Sequence, residues 1–208
     1  MTRVKICGLS RVCDIDAVNA ENPEYIGFVF ADSRRKVTPR QALDLRKRLN
    51  QSIIPVGVFA NENSENILSL VRNGIIDLIQ LHGLENEEYI QKLKALTDKP
   101  IIKSVAVKTK DDVQKWSFSS ADYLLFDSPG GGTGRIFNWD LIGESGKPFF
   151  LAGGLNAENV KKAIEKTKPF AVDVSSGVET DGFKDYDKIK DFISSLRINN
   201  ANKKQDNA

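Results

Sequence analysis

The sequence predicts an α/β protein: a single (β/α)8 barrel of parallel strands followed by a disordered polar C-terminal tail. Three features predict it. Short β-branched runs alternate with longer amphipathic runs, the pattern of βα units wound into a parallel sheet. The alternation repeats through eight units without a long linker. At about 26 residues per unit, the 208-residue chain has the length of a compact barrel and of one domain. An open doubly wound sheet is the alternative the same alternation allows.

The units follow in order. The chain is expected to open on a strand, Val4–Cys7, and not on a secretory signal. Further strands are expected at Tyr25–Phe30, Ile54–Phe59, Leu78–Leu81, Ile101–Val105, Tyr123–Phe126, Phe149–Ala152 and Ala171–Val174. Helices are expected at Pro39–Leu49, Ser64–Asn73, Glu85–Leu96 and Ala157–Lys166, where apolar residues recur three and four apart. Ser64 and Asn156 read as helix N-caps, and Cys13 with its apolar neighbours reads as packing within a first helix. Lys110 to Ser119 has little helical periodicity, and Phe137 to Gly143 has room only for a short helix, with Phe137 and Trp139 read as core. The barrel is assigned to residues 1–197. The polar run from 198 to 208 offers too little apolar surface to offset the entropy of ordering and is expected to be a flexible tail.

Composition narrows the function classes. Thirty basic against twenty-eight acidic residues leave a formal charge of +2, too balanced for a dedicated nucleic-acid or anionic-membrane binder. No apolar run reaches the roughly 20 residues of a membrane-spanning helix, so a cytoplasmic protein is expected. Cys7 and Cys13 have no metal-finger spacing and read as thiols, and the sequence carries no metal-ligand cluster or dinucleotide fingerprint.

In a closed barrel the chemistry sits at the carboxyl ends of the strands. Those ends carry Cys7, Arg34-Arg35, Gln80 with His82, Asp127, Gly153-Gly154 and Asp173 with Ser175-Ser176-Gly177. Glycine turns after strands seven and eight let backbone N–H groups approach an anion, which predicts a phosphate site at Gly153, Gly154, Ser175, Ser176 and Gly177. Gly131-Gly132-Thr133-Gly134 adds a third turn open to a ligand, with Gly132 among the lining positions.

These segments, in order and spacing, resemble the phosphoribosylanthranilate isomerase family. The likeness rests on Val4-Lys5-Ile6-Cys7-Gly8-Leu9, Gly27-Phe28-Val29-Phe30 with Ser33-Arg34-Arg35 and Thr38-Pro39, Val56-Gly57-Val58-Phe59 and Gln80-Leu81-His82-Gly83. It continues through Asp127, Gly131-Gly132-Thr133-Gly134, Phe137-Asn138-Trp139, Ala152-Gly153-Gly154-Leu155-Asn156 and Val172-Asp173-Val174-Ser175-Ser176-Gly177-Val178-Glu179. Two loops depart from the pattern: Phe30 to Ser33 is about one residue shorter than in some relatives, and Asp127 to Gly131 is also short.

The resemblance implies an aldose–ketose isomerase of tryptophan biosynthesis. Its reaction is the Amadori rearrangement of N-(5-phosphoribosyl)anthranilate to 1-(2-carboxyphenylamino)-1-deoxyribulose 5-phosphate, carried by a general acid and a general base with neither metal nor cofactor. By motif position Asp127 is the acid and Cys7 the base. Matching backwards from Pro39 assigns the anthranilate carboxylate to Arg35, with Arg34 as its rival. Gln80, His82, Gly132 and Asp173 line the substrate. Asp127 then needs a raised pKa, and Cys7 a thiolate favoured by positive charge such as Arg35 or Lys5. The implied partner is a small phosphorylated substrate, with no nucleic acid or membrane, on a monomer or homodimer.

Other readings stand beside this one. Another phosphosugar barrel enzyme would share the phosphate turns but use further carboxylates, metal ligands or a lysine; Lys5 and Lys103 are the only evident inward candidates. A noncatalytic phosphate-ligand binder would keep the glycine turns and Arg35 and dispense with Cys7 and Asp127. Cys7 also reads as a small buried hydrophobe, and Asp127 as a turn former before Ser128-Pro129.

Overall fold

The computed structural model describes residues 2–130, 134 and 136–197. Eight parallel strands close into a barrel in sequence order: β1 (Arg3–Cys7), β2 (Tyr25–Val29), β3 (Ile54–Phe59), β4 (Leu78–Leu81), β5 (Ile101–Ala106), β6 (Tyr123–Asp127), β7 (Phe149–Leu151) and β8 (Ala171–Val174). This is the TIM-barrel arrangement, and every expected strand is present within a residue of its expected ends. The proposed tail and Gly132 lie outside the described residues.

Among the described residues seven helices surround the strands: α1 (Val12–Glu21), α2 (Pro39–Arg46), α3 (Ser64–Arg72), α4 (Glu87–Lys94), α5 (Lys110–Trp116), α6 (Val160–Thr167) and α7 (Tyr186–Arg197). Side chains that close the helix starts explain most departures from the expected boundaries. Asn63, not Ser64, caps α3, its side chain accepting from the Glu65 N–H at 2.8 Å. Asn156 does accept two backbone N–H groups, from Glu158 and Asn159, but regular helix begins only at Val160. The Lys110 region forms α5 despite its weak periodicity because Asp112 accepts from the Lys108 and Thr109 amides at its start. Among the described residues one 3-10 turn, Trp139–Leu141, stands between β6 and β7, and Phe137 and Trp139 are buried there as expected.

Cys13 corrects the sequence reading: it faces solvent. Asp14 is buried and bonded to Arg11, and together with Ile15, Ala17 and Val18 it turns the opposite face of α1 inward.

Two packed regions follow from strand alternation. The larger lies between strands and helices and includes Ile6, Phe28, Leu81, Leu124 and Phe126. The smaller is built from strand residues such as Val56, Leu78, Ile102, Leu125, Phe150 and Ala171 and fills the barrel. Phe150 meets Tyr25, Tyr123 and Phe170 ring to ring, with centroids 5.4, 5.7 and 5.7 Å away. The lower barrel is therefore packed solid, and the polar inward residues lie toward the strand carboxyl ends.

Candidate active site

A cavity of about 1070 Å³ is lined by Cys7 at the end of β1, Arg35, Gln80 and His82 after β4, Asp127 at the end of β6, and both glycine turns. Most sequence-predicted site residues are thus brought together: Cys7, Arg35, Gln80, His82, Asp127, Gly153, Gly154, Asp173, Ser175, Ser176 and Gly177 all border it.

Burial sets the protonation of the two proposed proton carriers. It pushes the Asp127 carboxyl up, against the opposing pull of hydrogen bonds from the Ser128 N–H and hydroxyl. That is the direction an acid near neutral pH requires. Burial also pushes the Cys7 thiol up, and the nearby ammonium groups of Lys5 and Lys184 only partly counter it. The lysine charges do favour the thiolate, as expected, but burial outweighs them. Much of the expected charge is already compensated, because Arg35 is paired with Glu179 and Lys5 with Asp173.

Lys5 points into the barrel and is fully buried, donating to both Asp173 oxygens at 3.0 and 2.9 Å. Parallel pairing of β1 with β8 sets Lys5 directly beside Asp173. The Asp173 charge keeps the ammonium protonated against the cost of burial, raising its pKa. Lys103 departs from the inward reading: it shares the helix-facing side of β5 with Ile101 and Val105. There it donates to the Gly83 carbonyl and to Glu85, 5.5 Å from the Trp116 ring centroid.

Arg35 and Arg34 separate by position. Arg35 lines the cavity with its side chain 14% exposed, whereas Arg34 is 56% exposed and does not line it. Gly8 makes room for Arg35: with φ at +86°, a Cβ there would lie 2.4 Å from the arginine Cδ. Both arginines and Lys184 converge on Glu179. Arg35 makes a two-point contact at 2.6 and 2.9 Å, Arg34 adds one to Oε2 at 2.6 Å, and Lys184 shares Oε1 with the Arg35 Nε. Burial disfavours that charge, yet the bonds from Arg35 and Lys184 outweigh it and hold the Glu179 carboxyl low.

Glu179 and Lys184 had no role in the sequence reading. They sit on a two-stranded hairpin, β9 (Glu179–Thr180) and β10 (Phe183–Lys184), turned by Asp181-Gly182 with both φ values positive, +51° and +83°. The Asp-Gly pair is the local signal that could have revealed it. Lys184 also donates to the carbonyl and hydroxyl of Ser175, and the Ser175 hydroxyl donates to the Cys7 carbonyl at 2.9 Å. The hydroxyl of Ser175 is thus engaged within the protein, which leaves its backbone amide for an anion.

The turn after β8 is a single 3-10 turn, Ser176–Val178, so dipole assistance there is confined to local N–H groups. It lies tight against the turn after β7: a Cβ on Gly177 would come 1.9 Å from the Leu155 carbonyl oxygen. The two glycine turns are thereby packed into one wall of the cavity.

A closed parallel barrel whose rim carries an acid, a thiol, an arginine and paired glycine turns defines a class: a barrel enzyme for a small phosphorylated substrate. A family model for N-(5'-phosphoribosyl)anthranilate isomerase matches residues 4–195. The chain belongs to that family. It is 46% identical to the isomerase of Endomicrobium trichonymphae over 95% of this chain and 99% of the relative. It is 48% identical to that of Clostridium acetobutylicum, covering 95% and 98%. The crystal structure of the Thermotoga maritima isomerase superposes with a TM-score of 0.87 at 36% identity, covering 95% and 99% of the two chains. A solved isomerase in complex with reduced 1-(o-carboxyphenylamino)-1-deoxyribulose 5-phosphate superposes at 0.84, with 36% identity and the same coverage.

Proposed function

We propose that this family member performs the isomerisation with Asp127 as general acid and Cys7 as general base. The reaction is the Amadori rearrangement of N-(5-phosphoribosyl)anthranilate to the 1-deoxyribulose aminoketose, a step of tryptophan biosynthesis. Asp127 protonates the furanose ring oxygen as its bond to C1 breaks, and the anilino nitrogen forms a Schiff base with C1. The thiolate of Cys7 then takes the proton from C2, giving an enolamine that becomes the ketone as C1 gains a proton and the C2 hydroxyl loses one. The hydride balance is internal to the sugar, so two proton carriers are the chemistry the protein must supply. The observation that carries this reading is that Cys7 and Asp127, from β1 and β6, border one cavity together with both glycine turns.

The amides of Gly153, Gly154, Ser175, Ser176 and Gly177 are assigned to the phosphate, and Gln80, His82, Gly132 and Asp173 to the lining. Arg35 is assigned to the anthranilate carboxylate. Its Nε and Nη2 lie on Glu179, which leaves the Nη1 edge of the guanidinium for a ligand. Arg35→Ala is expected to raise the Michaelis constant about ten- to a hundredfold, the worth of one charge-assisted bond, with a smaller effect on turnover. Steady-state kinetics check this; a large rise for Arg34→Ala with none for Arg35→Ala would reverse the assignment.

Residues 1–197 are assigned as the catalytic unit, with 198–208 as an appended tail. A cytoplasmic monomer or homodimer is proposed; a solved relative from T. maritima is described as dimeric. Among the described residues no helix is long and apolar enough to cross a membrane.

The reaction is tested by generating the substrate in situ, adding chelator-treated protein, and following substrate fluorescence with product identification by mass and chromatography. Formation of the isomeric aminoketose is expected. A rate equal to that in buffer, with the fold verified, would sink the proposal.

A further inference from the structure

We infer that Gln80 and His82 are positioning residues for the general acid: Gln80 fixes the imidazole with its proton on Nε2, and that N–H is the donor that receives the Asp127 carboxylate once its proton has left. The inference rests on the reading of Asp127 as the acid.

Strand alternation brings the three side chains together. Leu78 and Leu125 belong to the barrel interior, so Gln80 and His82, two and four residues after Leu78, and Asp127, two after Leu125, face the same space. Gln80 Nε2 lies 3.1 Å from His82 Nδ1. An amide nitrogen can only donate, so Nδ1 must accept and the ring proton must be on Nε2. Burial holds this imidazole in its neutral form; Lys5 and Lys103 act in the same direction, and Asp173 and Glu85 oppose it.

His82 Nε2 faces Oδ2 of Asp127 at 3.8 Å. That is about 1 Å beyond hydrogen-bond length. The other oxygen, Oδ1, already accepts the Ser128 N–H at 2.7 Å. Oδ2 is therefore the oxygen left to carry the transferable proton, and it is the one the imidazole addresses. When the Oδ2–H bond breaks and the proton passes to the ring oxygen, charge appears on Oδ2, and a small approach brings the Nε2–H into range. His82 keeps its own proton throughout. A donor too long for the neutral acid and short for the carboxylate acts in the transition state more than in the ground state.

The other end of the same amide is left without a partner. It is 1% exposed, and its carbonyl oxygen has no hydrogen-bond partner among the described residues. Reversing the amide would turn that oxygen toward His82, so the observed orientation leaves an acceptor unmet in order to keep the nitrogen on the imidazole.

The chain contains one histidine, so tag-free protein labelled with 15N-histidine reports a single imidazole. A proton on Nε2 with a bare Nδ1 is expected in the wild type; a proton on Nδ1 would overturn the proposal. His82→Ala is expected to lower turnover about ten- to a hundredfold with a smaller change in Michaelis constant. His82→Gln, whose amide nitrogen can donate from a similar place, should recover part of the loss. In an Asp127→Asn background, His82→Ala should cost nothing further. An equal cost in both backgrounds, or a change confined to the Michaelis constant, would overturn the positioning role. Normal turnover of Asp127→Asn alone would instead overturn the assignment of the acid. Circular dichroism and melting of each variant separate these outcomes from misfolding.

Discussion

Asp127→Asn lowers turnover by about two to four orders of magnitude and leaves the barrel folded, the expected loss of one general acid. The substitution is close to isosteric, and burial already favours the uncharged carboxyl, so a neutral amide creates no unpaired charge in the site. What it removes is the proton delivered to the furanose oxygen. Turnover measured on substrate generated in situ, with melting as the control for folding, checks the claim. Wild-type turnover in this variant would return Asp127 to the role of turn former before Ser128-Pro129.

Cys7→Ala carries the second large effect, about two to four orders of magnitude in turnover, because no other side chain is assigned to take the C2 proton. Cys7→Ser should be nearly as slow, since a hydroxyl does not ionise near neutral pH. The two residues also predict a pH profile. Both groups are raised by burial, the thiol from an ordinary value of about 8.5 and the carboxyl from about 3.9. Between the two the pair shares one proton, and the productive arrangement places it on Asp127 with Cys7 ionised. Turnover is therefore expected to fall in acid, where both sites are protonated, and in alkali, where neither is. The acid limb should vanish in a Cys7→Ala variant with measurable residual turnover, and the alkaline limb in Asp127→Asn. Limbs unmoved by either substitution would show that other groups titrate.

The barrel was legible because eight strands announce themselves by β-branched runs, and because closure follows from an unbroken series of short βα units. Helix starts were less legible: an asparagine side chain at 63 and a carboxylate at 112 decide boundaries that periodicity alone leaves open. For the site, the strand-end rule selected Cys7, Gln80, His82, Asp127 and the glycine turns, all of which border one cavity. It could not show which charges are already spent. Lys5 meets Asp173 from 168 residues away, and Glu179 gathers two arginines from one segment and a lysine from another. Cys13 failed for a related reason, since its surroundings depend on which face the neighbouring Asp14 carries inward.

The seam between β1 and β8 also sets the order in which the site comes into being. As the chain leaves the ribosome, β1 finds β2 early, but its other edge stays open until β8 emerges 168 residues after Lys5. At ordinary synthesis rates that is on the order of ten to thirty seconds. During that wait the ammonium of Lys5 has no carboxylate, the Cys7 carbonyl has no Ser175 hydroxyl, and the half of the cavity that carries the glycine turns does not exist. The sulfur that serves as base is made first and enclosed last, because the β8 contacts that help to bury it come from the far end of the barrel.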